Sequence, residues 1–272
     1  MTRANPQCTP AAGTAAPVKA HNVVLVHGLF ADGSCWSDVI ARPQNAGLNV
    51  TSVQNPLTTL PEAVASAERA LNRLDGPTVI AGHSFSGMIV TEAGAHPNVT
   101  AVVYVAARAP DTGEDYTALA KKLPTPPATA GIVFDGEKGR LSQLAFLRDF
   151  AGGVPEPKAK VLYAVQQPFQ KSLLANRITR AAWRTKPSFY AVSTADRTIN
   201  PDLRRFMAKR MGSKTVEMKA SHVPRMHQNH RHLPSANFPA KAPDATTAGK
   251  LSSSGPGLGI FGTTFRPVAE QS

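Results

Sequence analysis

Three residues far apart in the chain, Ser84, Asp196 and His222, carry the side chains that nucleophilic acyl transfer requires. A serine hydroxyl is a weak nucleophile until a histidine takes its proton. That imidazole in turn needs a carboxylate to fix its tautomer and stabilise its charged form. Ser84 stands within Val79-Ile80-Ala81-Gly82-His83-Ser84-Phe85-Ser86-Gly87-Met88-Ile89-Val90, where a β-branched apolar run enters a turn of small residues and an apolar helical segment leaves it. A strand, a sharp turn and a helix in that order lift the hydroxyl above a sheet, and small flanking residues let helix and strand approach. The usual G-x-S-x-G spacing is altered, because Ser86 replaces the second glycine and Gly87 follows one place later. A Cβ at that position predicts added strain in the turn. For a developing oxyanion, the natural donors are the amides of Leu29, just after His27-Gly28, and of Phe85, just after Ser84.

The elements that must position these groups alternate between strand and helix. Asn22 to Val26 reads as a buried parallel strand ending in the loop His27 to Gly33. Ser34 caps a helix through about Ala46, kinked or shortened by Pro43. Asn49 to Val53 is a second strand, and Pro61 to Leu74 a second helix with proline near its start. Thr78 to Ala81 feeds the turn at Ser84, a helix runs from there to about Ala95, and Val99 to Ala106 is a further strand. The alternation predicts an α/β, mostly parallel, doubly wound sheet, which binds ligands at the carboxyl ends of its strands. From about 112 to 184 the pattern becomes irregular and Pro-interrupted. It reads as a helical cap inserted over the sheet, with helices at 115–123, 141–150 and 168–183 and a short strand at 132–135. Alternation returns with a strand at 189–193, a helix at 201–211 and a last strand at 215–218. Asp196 and His222 follow the two late strands, at the same edge as Ser84.

Composition bounds the partners. The chain has 272 residues, 42% apolar, enough for one domain with an insertion. No stretch approaches the roughly 18 apolar residues of a membrane span. The net charge of +12 is concentrated between Lys121 and Lys186, where twelve basic residues face four acids. A solvated basic surface accounts for it, since zinc spacing and basic heptads are missing and aromatics among the basic residues are few; nucleic acid and membrane are not expected partners. Cys8 and Cys35 lie too far apart in character and position to suggest a disulfide framework or metal cluster. Met1 to Ala20 lacks the unbroken apolar core of a signal peptide, so the sequence as written reads as cytoplasmic, or as periplasmic or secreted if its true start lies upstream. Residues 1–21 read as a flexible segment. Residues 223–272 read as an irregular, disordered tail rich in Pro, Ser, Gly and Thr. Its His227, His230 and His232 lack Cys or carboxylate partners at ligand spacing, so no metal is expected.

Val-Leu-Val-His-Gly at 24–28, Gly-His-Ser-Phe-Ser-Gly at 82–87, Ala-Asp-Arg-Thr-Ile-Asn-Pro at 195–201 and Ala-Ser-His at 220–222 together resemble the α/β-hydrolase-fold serine esterases. The run from Val102 to Asp111 is similar to the branch containing plant methyl-ester esterases and hydroxynitrile lyases. The resemblance covers roughly residues 22–222. It implies a cofactor-free hydrolase of a small or medium carboxylic ester, with Ser84 as nucleophile, His222 as base and Asp196 as acid. A homodimer is left open. The chain order Ser, Asp, His is the α/β-hydrolase order. Asp111, also at a strand end, is the alternative acid, ranked second because the Asp196 loop keeps the family pattern. The lyases carry lysine directly after the histidine, where Val223 stands here, so lyase chemistry ranks low. The family's closing amphipathic helix has no counterpart in the composition of 224–272. That departure supports an alternative reading, an inactive or weakly active hydrolase-fold binding protein. His27 reads as a structural hydrogen-bond former and His83 as a packing residue. Arg197 and Asp202 read as structural neighbours, and Trp36 and Trp183 as packing aromatics, with Trp183 also a candidate pocket wall.

Overall fold

A computed structural model describes residues 19–223. Residues 1–18 of the N-terminal segment, and the tail from 224 with its three histidines, lie outside the described residues.

Six strands form one parallel sheet: β1 (Asn22–Val26), β2 (Asn49–Val53), β3 (Thr78–His83), β4 (Val99–Val105), and, after the insertion, β8 (Ser188–Ser193) and β9 (Lys214–Met218). Their order across the sheet is β2-β1-β3-β4-β8-β9. The period of two along a strand sorts β1 onto two faces. Val24 and Val26 join the large core with helices α2 (Leu60–Leu71) and α3 (Ser86–Ala93), while Val23 and Leu25 join a smaller cluster with Trp36 and Leu48 near α1 (Ser37–Asn45). A fully buried valine contributes about 1.5–3 kcal/mol, so a one-residue slip of β1 would exchange its faces at a cost of several such terms. Register aligns the strand ends: Val26 lies beside Gly82, Gly82 beside Tyr104, and Ser193 beside Met218. The loops carrying Gly28, Ser84, Asp196 and His222 therefore leave one edge of the sheet.

Element starts differ from expectation by local capping. Asp32, not Ser34, caps the first turn, a 3-10 helix at Gly33–Trp36. Thr59 caps α2, accepting the Glu62 amide, and Pro61 occupies the first turn as expected. The third helix begins at Ser86 rather than Ser84, because Ser84 holds a left-handed φ of 60° that a helix cannot contain.

The insertion departs most. Residues 141–150 do not form one helix: β6 (Lys138–Leu141) pairs antiparallel with the expected β5 (Ile132–Asp135), and a short α5 (Gln143–Ala145) runs into a π turn at Phe146–Phe150. Residues 168–183 likewise do not form one helix, holding instead short 3-10 turns at Lys171–Ala175 and Ala182–Arg184. Phe169, Leu173, Ile178 and Ala182 are buried at near-helical spacing, but β7 (Phe169–Gln170) pairs with β6 and the Gln170 amide donates to the Leu57 carbonyl at 2.7 Å. Tertiary pairing overrides the periodicity there. The cap helices are α4 (Tyr116–Ala120), shorter than expected, and α6 (Glu156–Ala164), which the sequence reading did not place. Helix α7 (Pro201–Arg210) starts at Pro201 as expected.

Candidate active site

The turn after β3 is built by close approach. Ser84 takes its left-handed φ while its amide donates to the Val105 carbonyl at 3.2 Å and its carbonyl accepts the Arg108 amide at 2.9 Å. A Cβ on Gly28 would stand 2.6 Å from the Ser84 Cβ and 2.7 Å from the His83 carbonyl, so only glycine lets the β1 loop reach the serine. A Cβ on Gly87 would stand 1.8 Å from the Arg108 carbonyl oxygen. The displaced glycine of the motif thus serves the β4 loop. Ser86 itself carries no left-handed strain: it opens α3, and its hydroxyl lies 2.6 Å from the Val26 carbonyl and 2.8 Å from that of His83. The strain expected at Ser86 is located at Ser84.

The fold brings Ser84, Asp196 and His222 into one buried chain of contacts. His222 Nε2 lies 2.7 Å from Ser84 Oγ, and His222 Nδ1 lies 2.6 Å from Asp196 Oδ2. A carboxylate only accepts, so Nδ1 carries the proton and Nε2 is left to accept from the serine hydroxyl. Asp196 Oδ1 accepts the amides of Thr198 at 2.6 Å and Ile199 at 3.0 Å. Arg204 Nη1, wholly buried on α7, stands 2.7 Å from Asp196 Oδ2, while its Nη2 donates to the Ser193 carbonyl at 2.7 Å and to that of Ile199 at 3.2 Å. Burial alone would raise the Asp196 carboxyl, but His222 and Arg204 outweigh it and hold the carboxyl at about 2. The acid stays ionised beside the imidazole.

Two further groups escaped the sequence reading. Arg204 is one. Its signal was an arginine on the face of α7 that also carries Leu203, Met207 and Ala208, all buried. The other is the full role of His83, which packs as expected but also donates Nε2–H to the His222 carbonyl at 2.8 Å. Its ring lies 4.8 Å from that of His222, and the Phe150 ring lies 5.0 Å from the His222 ring. Burial, then the nearby His222, depress His83 to about 3, so it is a neutral brace. His27 is a hydrogen-bond former: its Nδ1 donates to the Gly28 carbonyl at 3.0 Å and its Nε2 accepts the Asn55 amide at 3.2 Å.

The remaining candidates fall elsewhere. Asp111 turns to Arg184, whose Nε donates to it at 2.8 Å. Arg197 pairs with Asp149 at 2.6 Å and Asp202 with Arg205 at 2.7 Å, both structural contacts. Trp183 is a packing residue whose indole donates to the Pro110 carbonyl at 3.1 Å. Leu29 and Phe85 line, together with Ser84, a cavity of about 320 Å³ that is walled by the β4 loop, α4, residues 125–132 of the cap and the start of α7. That volume lies at the small end of ligand pockets. Among the described residues no group of three or more His, Cys, Asp or Glu is placed to hold a metal ion.

A model of the Alpha/beta hydrolase family matches residues 23–232. Among solved structures, the fold is similar to polyneuridine aldehyde esterase (17% identity, TM-score 0.64, covering 75% of this chain and 93% of that one). It is also similar to a pyrethroid hydrolase from Sphingobium faniae JZ-2 (18%, 0.65, 75% and 91%) and to a methylesterase from Arabidopsis (16%, 0.60, 74% and 91%). No curated protein matches the sequence.

Proposed function

The chain belongs to the alpha/beta hydrolase family, and we propose that within it the chain is a serine hydrolase of small or medium carboxylic esters, working through an acyl-enzyme. The observation that carries this reading is the unbroken relay from Ser84 through His222 to an ionised Asp196 at the wall of a cavity. Ser84 Oγ attacks the ester carbonyl carbon as His222 Nε2 takes its proton. Asp196 stabilises the imidazolium so formed. The tetrahedral oxyanion accepts the amide hydrogens of Leu29 and Phe85. Collapse breaks the bond to the alcohol oxygen, which leaves with the proton from His222. Water then gives a proton to His222 and attacks the acyl-enzyme, and the acid departs as Ser84 regains its proton. No step calls for a cofactor.

Val223 after His222 supplies no cation for a lyase leaving group, which favours hydrolysis over that chemistry. The test is rapid mixing with p-nitrophenyl butyrate. A burst of p-nitrophenol stoichiometric with protein, followed by slower turnover and absent in Ser84→Ala, is the expected result. A folded protein that releases nitrophenol no faster than buffer would replace this reading with that of a binding protein.

A further inference from the structure

One charge in the cleft has no part in that chemistry. Arg108, in the loop after β4, is fastened to the nucleophile turn by its backbone, which donates to the Ser84 carbonyl and packs against Gly87. Its guanidinium lies over the rings of Phe85, at 5.4 Å, and Tyr116, at 4.5 Å. Ring faces attract a cation but accept none of its in-plane hydrogens in the way a carboxylate does. Its Nε is buried without a hydrogen-bond partner, as are those of Arg204 and Arg210; what sets Arg108 apart is that no carboxylate among the described residues stands within ion-pair distance of it, whereas those two are ion-paired. Other arginines near the site are matched: Arg204 by Asp196, Arg197 by Asp149, Arg210 by Glu114. The cavity wall holds Arg108 and Lys121 and, among the described residues, neither Asp nor Glu. A cation held in a partly buried cleft with aromatic faces but no carboxylate beside it is left incompletely compensated unless a ligand completes it. Desolvation lowers the Arg108 guanidinium, yet arginine keeps its proton in proteins.

We propose that Arg108 recognises a carboxylate on the substrate, so that the preferred substrates of this site are half-esters of short dicarboxylic acids. This rests on the serine-hydrolase reading. The planar fork of Arg108 takes the free carboxylate in a bidentate pair while the ester carbonyl sits at Ser84. Lys121, exposed at the cavity wall, adds attraction without geometry.

The experiment compares kcat/KM for monoethyl glutarate and ethyl valerate, matched chains with and without the carboxylate, by titrating released acid. The wild type favours the half-ester. In Arg108→Gln the anionic-to-neutral ratio falls by roughly 30-fold, the scale of one charge-assisted contact, mainly through KM; Arg108→Lys, which keeps the charge but not the fork, recovers part of it. Preference for the neutral ester in the wild type, or an unchanged ratio in Arg108→Gln, would overturn the proposal. Glutarate binding, read as a thermal shift on Ser84→Ala and lost when Arg108→Gln is added, separates the two claims. If neither ester is cleaved, the hydrolase reading fails and this shift still decides the role of Arg108: its presence supports anion recognition and its absence overturns it.

Discussion

Two loops at the same edge of the sheet treat charge in opposite ways. The loop after β8 holds a carboxylate, Asp196, and satisfies it completely with His222, Arg204 and two backbone amides. The loop after β4 holds a carboxylate and a cation, but turns Asp111 outward to Arg184 and leaves Arg108 in the cavity against two aromatic rings. The difference separates two tasks. A group that must tune a neighbour's proton has to be fixed and ionised before any substrate arrives, so the protein supplies every partner. A group that must recognise a ligand needs an open coordination edge, so the protein withholds one.

The largest effect that could sharpen this contrast comes from the paired side. Ser84→Ala or His222→Ala should lower kcat for a short-chain ester by on the order of 10⁴-fold or more, as removal of either member of a nucleophile–base pair does. The far-ultraviolet spectrum should be unchanged; a loss below tenfold would mean another group carries the reaction. Next comes Arg204→Leu, which removes a buried partner from a buried carboxylate. Urea unfolding should show a loss of about 3 kcal/mol or more, the range for breaking buried pairs. A loss under about 1 kcal/mol would show that His222 and the two amides suffice to hold Asp196.

His83 gives a smaller effect with a defined sign. Its folded value of about 3 lies below the ordinary histidine range, so above about pH 6.5 it is neutral in both states and the native brace is at full strength. As pH falls below that, the unfolded chain takes up a proton that the native state refuses, and stability drops by about 1.4 kcal/mol per pH unit for one such group. Burial lowers His27 as well, which adds in the same direction. Asp196 contributes stability that is complete above the carboxylate range and lost only as pH falls toward about 2, so it is silent in the histidine window. Urea midpoints between about pH 6 and 4.5 should therefore slope less steeply in His83→Gln than in the wild type; equal slopes would assign the fall elsewhere. The smallest effect belongs to the outward carboxylate. Asp111→Asn should move the melting temperature by no more than about 3 °C, as half-exposed pairs do, and leave ester turnover intact. A large fall in turnover would return Asp111 to candidacy as the acid.

What was legible in the sequence follows the same divide. The parallel sheet was readable because its strands are short apolar runs between turn signals, and because Ser84, Asp196 and His222 each close a different strand. Topology alone therefore brings three side chains that must meet to one edge of the sheet. The cap was not readable. Phe169, Leu173, Ile178 and Ala182 mimic a helical face, yet Phe169 and Gln170 pair with β6 and the Leu57 carbonyl, and only short 3-10 turns follow. Arg204 was hidden for another reason: propensity and pattern treat an arginine in an exposed-looking helix as solvent-facing, while its buried contacts are with Asp196 and the Ser193 and Ile199 carbonyls, outside its helical pattern. Arg108 lies within the family-like run 102–111 with nothing in the sequence to distinguish it from other basic residues. Its meaning is geometric, since it depends on the carboxylates that the fold does not bring near it.

The most direct measurement of the central claim is intact-mass analysis after exposure to a fluorophosphonate, with Ser84→Ala alongside. The account predicts one adduct on the wild type, none on the variant, and peptide mapping to Ser84. A folded wild type that stays unmodified, or an adduct that persists in Ser84→Ala, would contradict it, because an activated serine at this turn is what the relay of His222 and Asp196 is argued to produce.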